Sequence, residues 1–186
     1  MESLQRQLRG SRWGLALARV IAEKVGADKA QVRVLVRELF DEDVEVRKRA
    51  ADVARRITER DGRLLEPYAD ELAGLLETLP VSESRTRWHL GLVVPRVANT
   101  RMQRLRAART MSLLAGDESN VVRCSAVEGL GLLALQEASL RDEAEEMIER
   151  YLREGTTAMK NRARRWQQRI LKSGSCAVGQ AGPAAG

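Results

Sequence analysis

Apolar residues recur at helical spacing along nearly the whole chain. Val46, Ala50, Val53 and Ile57 fall at i, i+4, i+7 and i+11; Tyr68, Leu72, Leu75 and Leu79 repeat that interval, as do Met159, Ala163, Trp166 and Ile170. Such a period lays one apolar stripe along a helix. Strand-like alternation is absent over any useful length. The pattern predicts helices over 12–25, 28–40, 43–60, 65–79, 83–98, 100–115, 119–136, 139–153 and 157–171, with a helical stub at 2–9. Pro95 is expected to kink its helix or end it near Val94, because its ring crowds the preceding turn and it has no N–H to donate.

Polar and small residues punctuate the stripes at regular intervals. Gly26 follows one helix, and Asp41-Glu42-Asp43 precedes the next long one. Gly62 stands at a usual helix-stop position, Pro67 suits a first turn, and Ser82 and Ser84 are candidate caps. Gly116 to Ser119 and Gly155-Thr156-Thr157 mark two further turns. Periodicity is lost from Ser173 onward. The chain therefore divides into a helical domain, 1–172, and a Gly/Ala-rich tail, 173–186, that is expected to be disordered.

One short pattern recurs. Val46-Arg47-Lys48-Arg49-Ala50 is matched by Val122-Arg123-Cys124-Ser125-Ala126 and by Met159-Lys160-Asn161-Arg162-Ala163, and more loosely by Thr86-Arg87-Trp88-His89-Leu90 and Ser11-Arg12-Trp13-Gly14-Leu15. Its basic residue falls at 12, 47, 87, 123 and 160. A period of roughly 36–40 residues with two helices per unit points to stacked helix pairs.

An acidic turn followed by a Val-Arg-x-x-Ala helix resembles the HEAT repeat, and residues 41–47 and 117–126 are its clearest copies here. The resemblance covers about residues 11 to 172. It implies an all-α fold, a right-handed α-solenoid of about four to five HEAT-like helix pairs. It further implies that the Arg-bearing helix of each pair is the inner one, lining a concave face. It also implies that the repeated Arg pairs with an acid of a neighbouring turn, for which Asp41, Asp43, Asp117 and Glu118 are available. Arg12 and Arg87 have no acidic turn just before them and are expected to be the freer two.

Charge changes the picture once it is sorted by that assignment. The chain is basic, with a formal net charge of +6. The inner segments 11–25, 43–60, 82–98, 119–136 and 156–172 carry +2, +2, +2, 0 and +6. The outer segments 28–40, 64–79, 99–115 and 138–154 carry +1, −4, +4 and −3. The positive excess thus belongs to the inner helices, and a concave surface of one sign concentrates its field on an oppositely charged partner. In the last helix Arg162, Arg165, Arg169 and Lys172 line up beside the apolar stripe, and no acid lies beyond 155. That stripe reads either as an anion-binding edge or as the solvated cap of a terminal repeat.

Trp13 and Trp88 occupy the same repeat position, where the other copies hold Lys48, Cys124 and Asn161. Two tryptophans at a position that accepts polar residues point to an exposed aromatic anchor beside Arg12 and Arg87. Otherwise they fill gaps left by Gly14 and Gly91. Trp166 lies on a buried stripe. The candidate partner-binding set is Arg12, Trp13, Arg49, Arg56, Arg87, Trp88, Arg162, Arg165, Arg169 and Lys172.

Catalytic chemistry is not legible. His89 is the single histidine, with no Cys or Asp beside it to complete a hydrolytic or metal-binding set. The acids Asp142, Glu143, Glu145, Glu146 and Glu149 read as a solvated outer face, and Gly129 and Gly131 as places of close helix packing. Cys124 and Cys176 match no disulfide framework, so a reducing, cytoplasmic compartment is expected. No membrane span, metal or cofactor is expected. The chain reads as a non-enzymatic scaffold or adaptor for an acidic protein or peptide. A sequence-tolerant nucleic-acid binder is the alternative. A relative of HEAT-like alkylated-base DNA glycosylases is a third reading, although Asp52 and Glu128, the only acids midway along inner helices, match no motif of that family.

Overall fold

The structure, a computed structural model, describes residues 3–178, the side chains of 174–178 excepted. Ten α-helices make up most of it, and no strand occurs among the described residues. They are α1 (Leu4–Arg9), α2 (Leu15–Gly26), α3 (Lys29–Glu38), α4 (Val44–Arg60), α5 (Ala69–Thr78), α6 (Ser84–Val97), α7 (Arg101–Leu114), α8 (Asn120–Gln136), α9 (Arg141–Glu154) and α10 (Thr157–Val178). The expected boundary at 172 falls within α10; Cys176 has no described side chain, and residues 179–186 lie outside the described part.

Local chemistry sets most boundaries. Asp28 accepts a hydrogen bond from the Ala30 amide at 2.7 Å and Asp43 from the Glu45 amide at 2.8 Å, each satisfying an N–H that a helix start leaves without an intrahelical partner. Thr100 and Gln103 form a reciprocal capping box at the start of α7. Ser82 and Ser84 do not cap α6. Pro80 leads into a 3₁₀ turn over Val81–Glu83, and no side chain caps the helix. Pro95 lies inside α6, which runs on to Val97; the bond it cannot make belongs to the final turn. Gly62 does not act through a left-handed conformation, since no described glycine has positive φ. It is required for closeness: a Cβ there would lie 2.6 Å from the Arg96 carbonyl oxygen.

Each even-numbered helix packs on the next one, α2 on α4, α4 on α6, α6 on α8 and α8 on α10, and these are among the largest contacts in the chain. The odd-numbered helices flank that row, with α3 against α2 and α4, α7 against α6 and α8, and α9 against α8 and α10. The stripes read from the sequence are buried, with Tyr68 and Leu75 half-buried members of theirs, and Leu35, Leu90, Met111, Leu130 and Leu133 join them as fully buried side chains. Burying a Leu of this kind stabilises by about 1.5–3 kcal/mol relative to leaving it exposed.

Polar ties join successive units at the repeated Arg. Arg47 donates to the Asp41 and Glu42 carbonyls of its own turn and reaches forward to Glu83. Arg87 donates to the Leu79 carbonyl at 2.7 Å and forward to Asp117 at 2.7 Å. Arg123 closes back on the Asp117 carbonyl at 2.6 Å. Arg87 is therefore not free, contrary to expectation: the acid that holds it comes from the turn ahead of its helix rather than the turn before it. Arg12 is exposed.

Glycine lets α8 lie close to its neighbours. A Cβ on Gly129 would lie 2.6 Å from the Pro95 ring, and one on Gly131 would lie 2.6 Å from Cδ2 and Cε3 of the buried Trp166. Gly131→Ala gains up to about 1 kcal/mol in helix propensity but overpacks a filled seam, at a cost of about 1–3 kcal/mol. Because the ring cannot bend away, we expect net destabilisation and a melting temperature lower by a few degrees. An unchanged or higher value in a calorimetric scan would show that α10 can shift to make room.

Candidate partner-binding face

Most of the candidate residues lie on the even-numbered helices α4, α6 and α10, but they are not equally available. Arg49, on α4, donates at 2.7 Å to both the Leu8 and Gly10 carbonyls, and its guanidinium lies 5.4 Å from the centre of the Trp13 ring. Trp13 is half-buried against the core. This pair fastens the α1–α2 connection onto α4, and its contacts are already used within the chain. The glycine-gap explanation does not hold for Trp13, since a Cβ on Gly14 would meet nothing within 4 Å.

Further along, Asp52 sits between two arginines of its own helix, with Arg55 Nη2 at 3.0 Å and Arg56 Nε at 3.1 Å. Arg56 is therefore neutralised locally rather than presented to a partner. Arg55 also reaches Glu59 and lies 6.0 Å from the centre of the Trp88 ring. Trp88 stacks on His89, with ring centroids 4.4 Å apart. Its ring is half-buried and packed on the core, so neither tryptophan stands out as a fully exposed anchor. Gly91 faces Ser125 and Leu114 instead, so Trp88 does not fill its gap.

His89 is buried, and its Nδ1 has no hydrogen-bond partner. Burial pushes its pKa down to about 4, with Arg55, Arg56 and Arg85 adding to the fall and Asp52 opposing it. The ring is neutral at pH 7. No sequence pattern marked this histidine as buried, because a lone polar residue beside Trp88 carries no periodic signal.

A second acid bridges helices further along the row. Glu128, on α8, lies between Arg96 of α6, at 3.7 Å, and Arg162 of α10, with which it forms a tight ion pair. Burial lowers the pKa of both arginines. Arg55 adds to this at Arg96, and Arg165 adds to it at Arg162. Arg165, Arg169 and Lys172 are exposed, and among the described residues no carboxylate lies within ion-pair distance of them. Arg169 rests 4.8 Å from the centre of the Trp166 ring, while Trp166 itself is core. The cationic stripe on α10 is thus present as a surface, and Arg162 is its one member tied to an acid.

Other chemistry is sparse. Asp142, Glu143, Glu145, Glu146 and Glu149 are exposed on α9. No group of three His, Cys, Asp or Glu side chains could hold a metal ion among the described residues. Cys124 is buried, and burial pushes its thiol pKa up, so its reactive thiolate form is disfavoured. No described helix is long and apolar enough to cross a membrane. No family model, no curated protein and no solved structure matches this chain.

Proposed function

We propose that this chain is a HEAT-like repeat protein, a right-handed α-solenoid in which the even-numbered helices line a basic concave face, and that it works without catalysis as a scaffold or adaptor for an acidic protein or peptide. One observation carries the reading: Arg165, Arg169 and Lys172 are exposed along α10, and among the described residues no carboxylate lies within ion-pair distance of them. Long-range attraction to an acidic surface follows from such a field. The recurrence of Arg47, Arg87 and Arg123, each donating to a backbone carbonyl of the connection before its helix, supports the repeat assignment. A cytoplasmic setting suits the free thiol of Cys124.

The charge reversals Arg165→Glu, Arg169→Glu and Lys172→Glu, made together, are expected to abolish recovery of the specific partner set in a pull-down read by mass spectrometry. All three side chains are exposed, so melting should hardly change. Equal recovery by the wild type and the triple variant would sink the proposal. A nucleic-acid ligand would show itself differently. Binding to mixed oligonucleotides would weaken by orders of magnitude between ~50 and ~200 mM salt if several phosphates are contacted.

A further inference from the structure

The face described above contains one group that sits where a ligand's own charge would sit. Glu128 sends its two carboxylate oxygens to different helices, Oε1 toward Arg96 on α6 and Oε2 toward Arg162 on α10. The three side chains keep 21%, 18% and 34% exposure, respectively, so the group is half-sheltered and still reachable from solvent. The Arg96 contact, at 3.7 Å, is longer than a hydrogen bond. One carboxylate therefore serves two guanidiniums; Arg165 adds positive charge beside Arg162, while at Arg96 Glu59 offsets the charge of Arg55. Two partly desolvated arginines share one ion-paired acid, and the Arg162 end carries a further cation beside it.

We infer that Glu128 is a built-in placeholder in a carboxylate-binding site, and that an Asp or Glu side chain of an acidic partner displaces it to bridge Arg96 and Arg162. This rests on the partner-binding reading above and adds the point of contact. A carboxylate is the favoured ligand because the site already holds one, and the planar guanidinium accepts that shape in paired hydrogen bonds. A regular run of phosphates fits less well. Glu59, on α4, acts on Arg96 from nearby and would repel a backbone charged at every step. A partner protein can place its carboxylates singly. Displacement also accounts for having an acid at this point in a face otherwise rich in cations: the internal ion pair keeps the arginines ordered when no partner is bound and lowers the affinity for stray anions.

A site that its own side chain leaves open only about a tenth of the time binds about tenfold more weakly than an open one. The full chain is titrated into fluorescein-labelled hexaglutamate, read by anisotropy at low salt, with a twelve-residue oligothymidylate in parallel. Glu128→Gln keeps the shape and removes the competing charge. It is expected to tighten hexaglutamate binding by about tenfold. Glu145→Gln makes the same change in net charge at an exposed α9 carboxylate that pairs with no arginine among the described residues, and is expected to change affinity by less than twofold. Adding Arg96→Gln and Arg162→Gln to Glu128→Gln should erase the gain. Glu128→Ala gives a second removal should the Gln variant melt early. The inference is overturned by unchanged or absent hexaglutamate binding in both Glu128 variants, by an equal gain from Glu145→Gln, or by a gain confined to the oligothymidylate. Loss of partner capture on reversing Arg165, Arg169 and Lys172, with no effect of Glu128, would leave the scaffold reading intact and remove only the placeholder.

Discussion

Asp117→Ala is expected to lower the unfolding free energy by about 3–5 kcal/mol, the range for removing one partner of a buried ion pair. The Asp117 side chain has no exposure, and that of Arg87 has 11%. One carboxylate oxygen accepts from Arg87 Nε and Nη2 at 2.9 and 2.7 Å, and the other accepts from the Ser119 amide at 2.8 Å. Alanine would strand the Arg87 guanidinium in a low-dielectric seam with only the Leu79 carbonyl for company, and would also open the turn before α8. The diagnostic variant is the double one. Arg87→Met with Asp117→Ala removes the stranded charge, so it should cost no more than Asp117→Ala alone. Urea unfolding of the four proteins in the cycle measures this. A loss below ~1 kcal/mol for Asp117→Ala would place the pair with exposed salt bridges and would remove it as the tie between units.

Acid should weaken the fold through His89 before most carboxylates protonate. Its pKa is about 4 in the folded chain against 6.5 for the free side chain. The unfolded state therefore binds more protons between those values, and stability falls as pH drops from about 6.5 toward 4. Above about 6.5 both states are neutral at this residue and there is no penalty. A shift of that size corresponds to about 3 kcal/mol. The cause is burial first; Asp52 opposes it, and the positive charge of Arg55 and Arg56 on α4 and Arg85 on α6 reinforces it. His89→Phe keeps a ring to stack on Trp88 and cannot titrate. The wild type should lose about 3 kcal/mol more than this variant between pH 7 and pH 4, since the carboxylates common to both cancel in the difference. Parallel pH profiles of the unfolding midpoint would show that the imidazole is not the responsible group.

Helical periodicity is a local signal, and it is legible in the sequence. The stripe Val46, Ala50, Val53 and Ile57 is buried on α4, and Met159, Ala163, Trp166 and Ile170 are buried on α10, as their spacing required. Gly131 inside a helix pointed to close approach, and the Trp166 ring is the neighbour that explains it. The placement of the acids that hold Arg47 and Arg87 was not legible. Glu83 and Asp117 lie 36 and 30 residues away from them, and nothing within a repeat says that the arginine reaches forward. Arg49 and Arg56 look like partner-binding residues in the sequence because they are basic and lie on an Arg-bearing helix. The structure commits Arg49 to two backbone carbonyls and Arg56 to Asp52.

Helix content, the positions of most turns and the sidedness of the apolar stripes follow from the sequence alone, because each depends on residues within a few positions of one another. Which cations are satisfied and which remain open depends on atoms brought together across helices. Arg162 has no acid within its own helix, yet Glu128 of α8 holds it, while Arg165, one turn further along the same helix, points past that carboxylate into solvent. A one-dimensional charge pattern cannot separate those two, since they differ only in the direction each side chain takes from the helix and in what the neighbouring helix offers there.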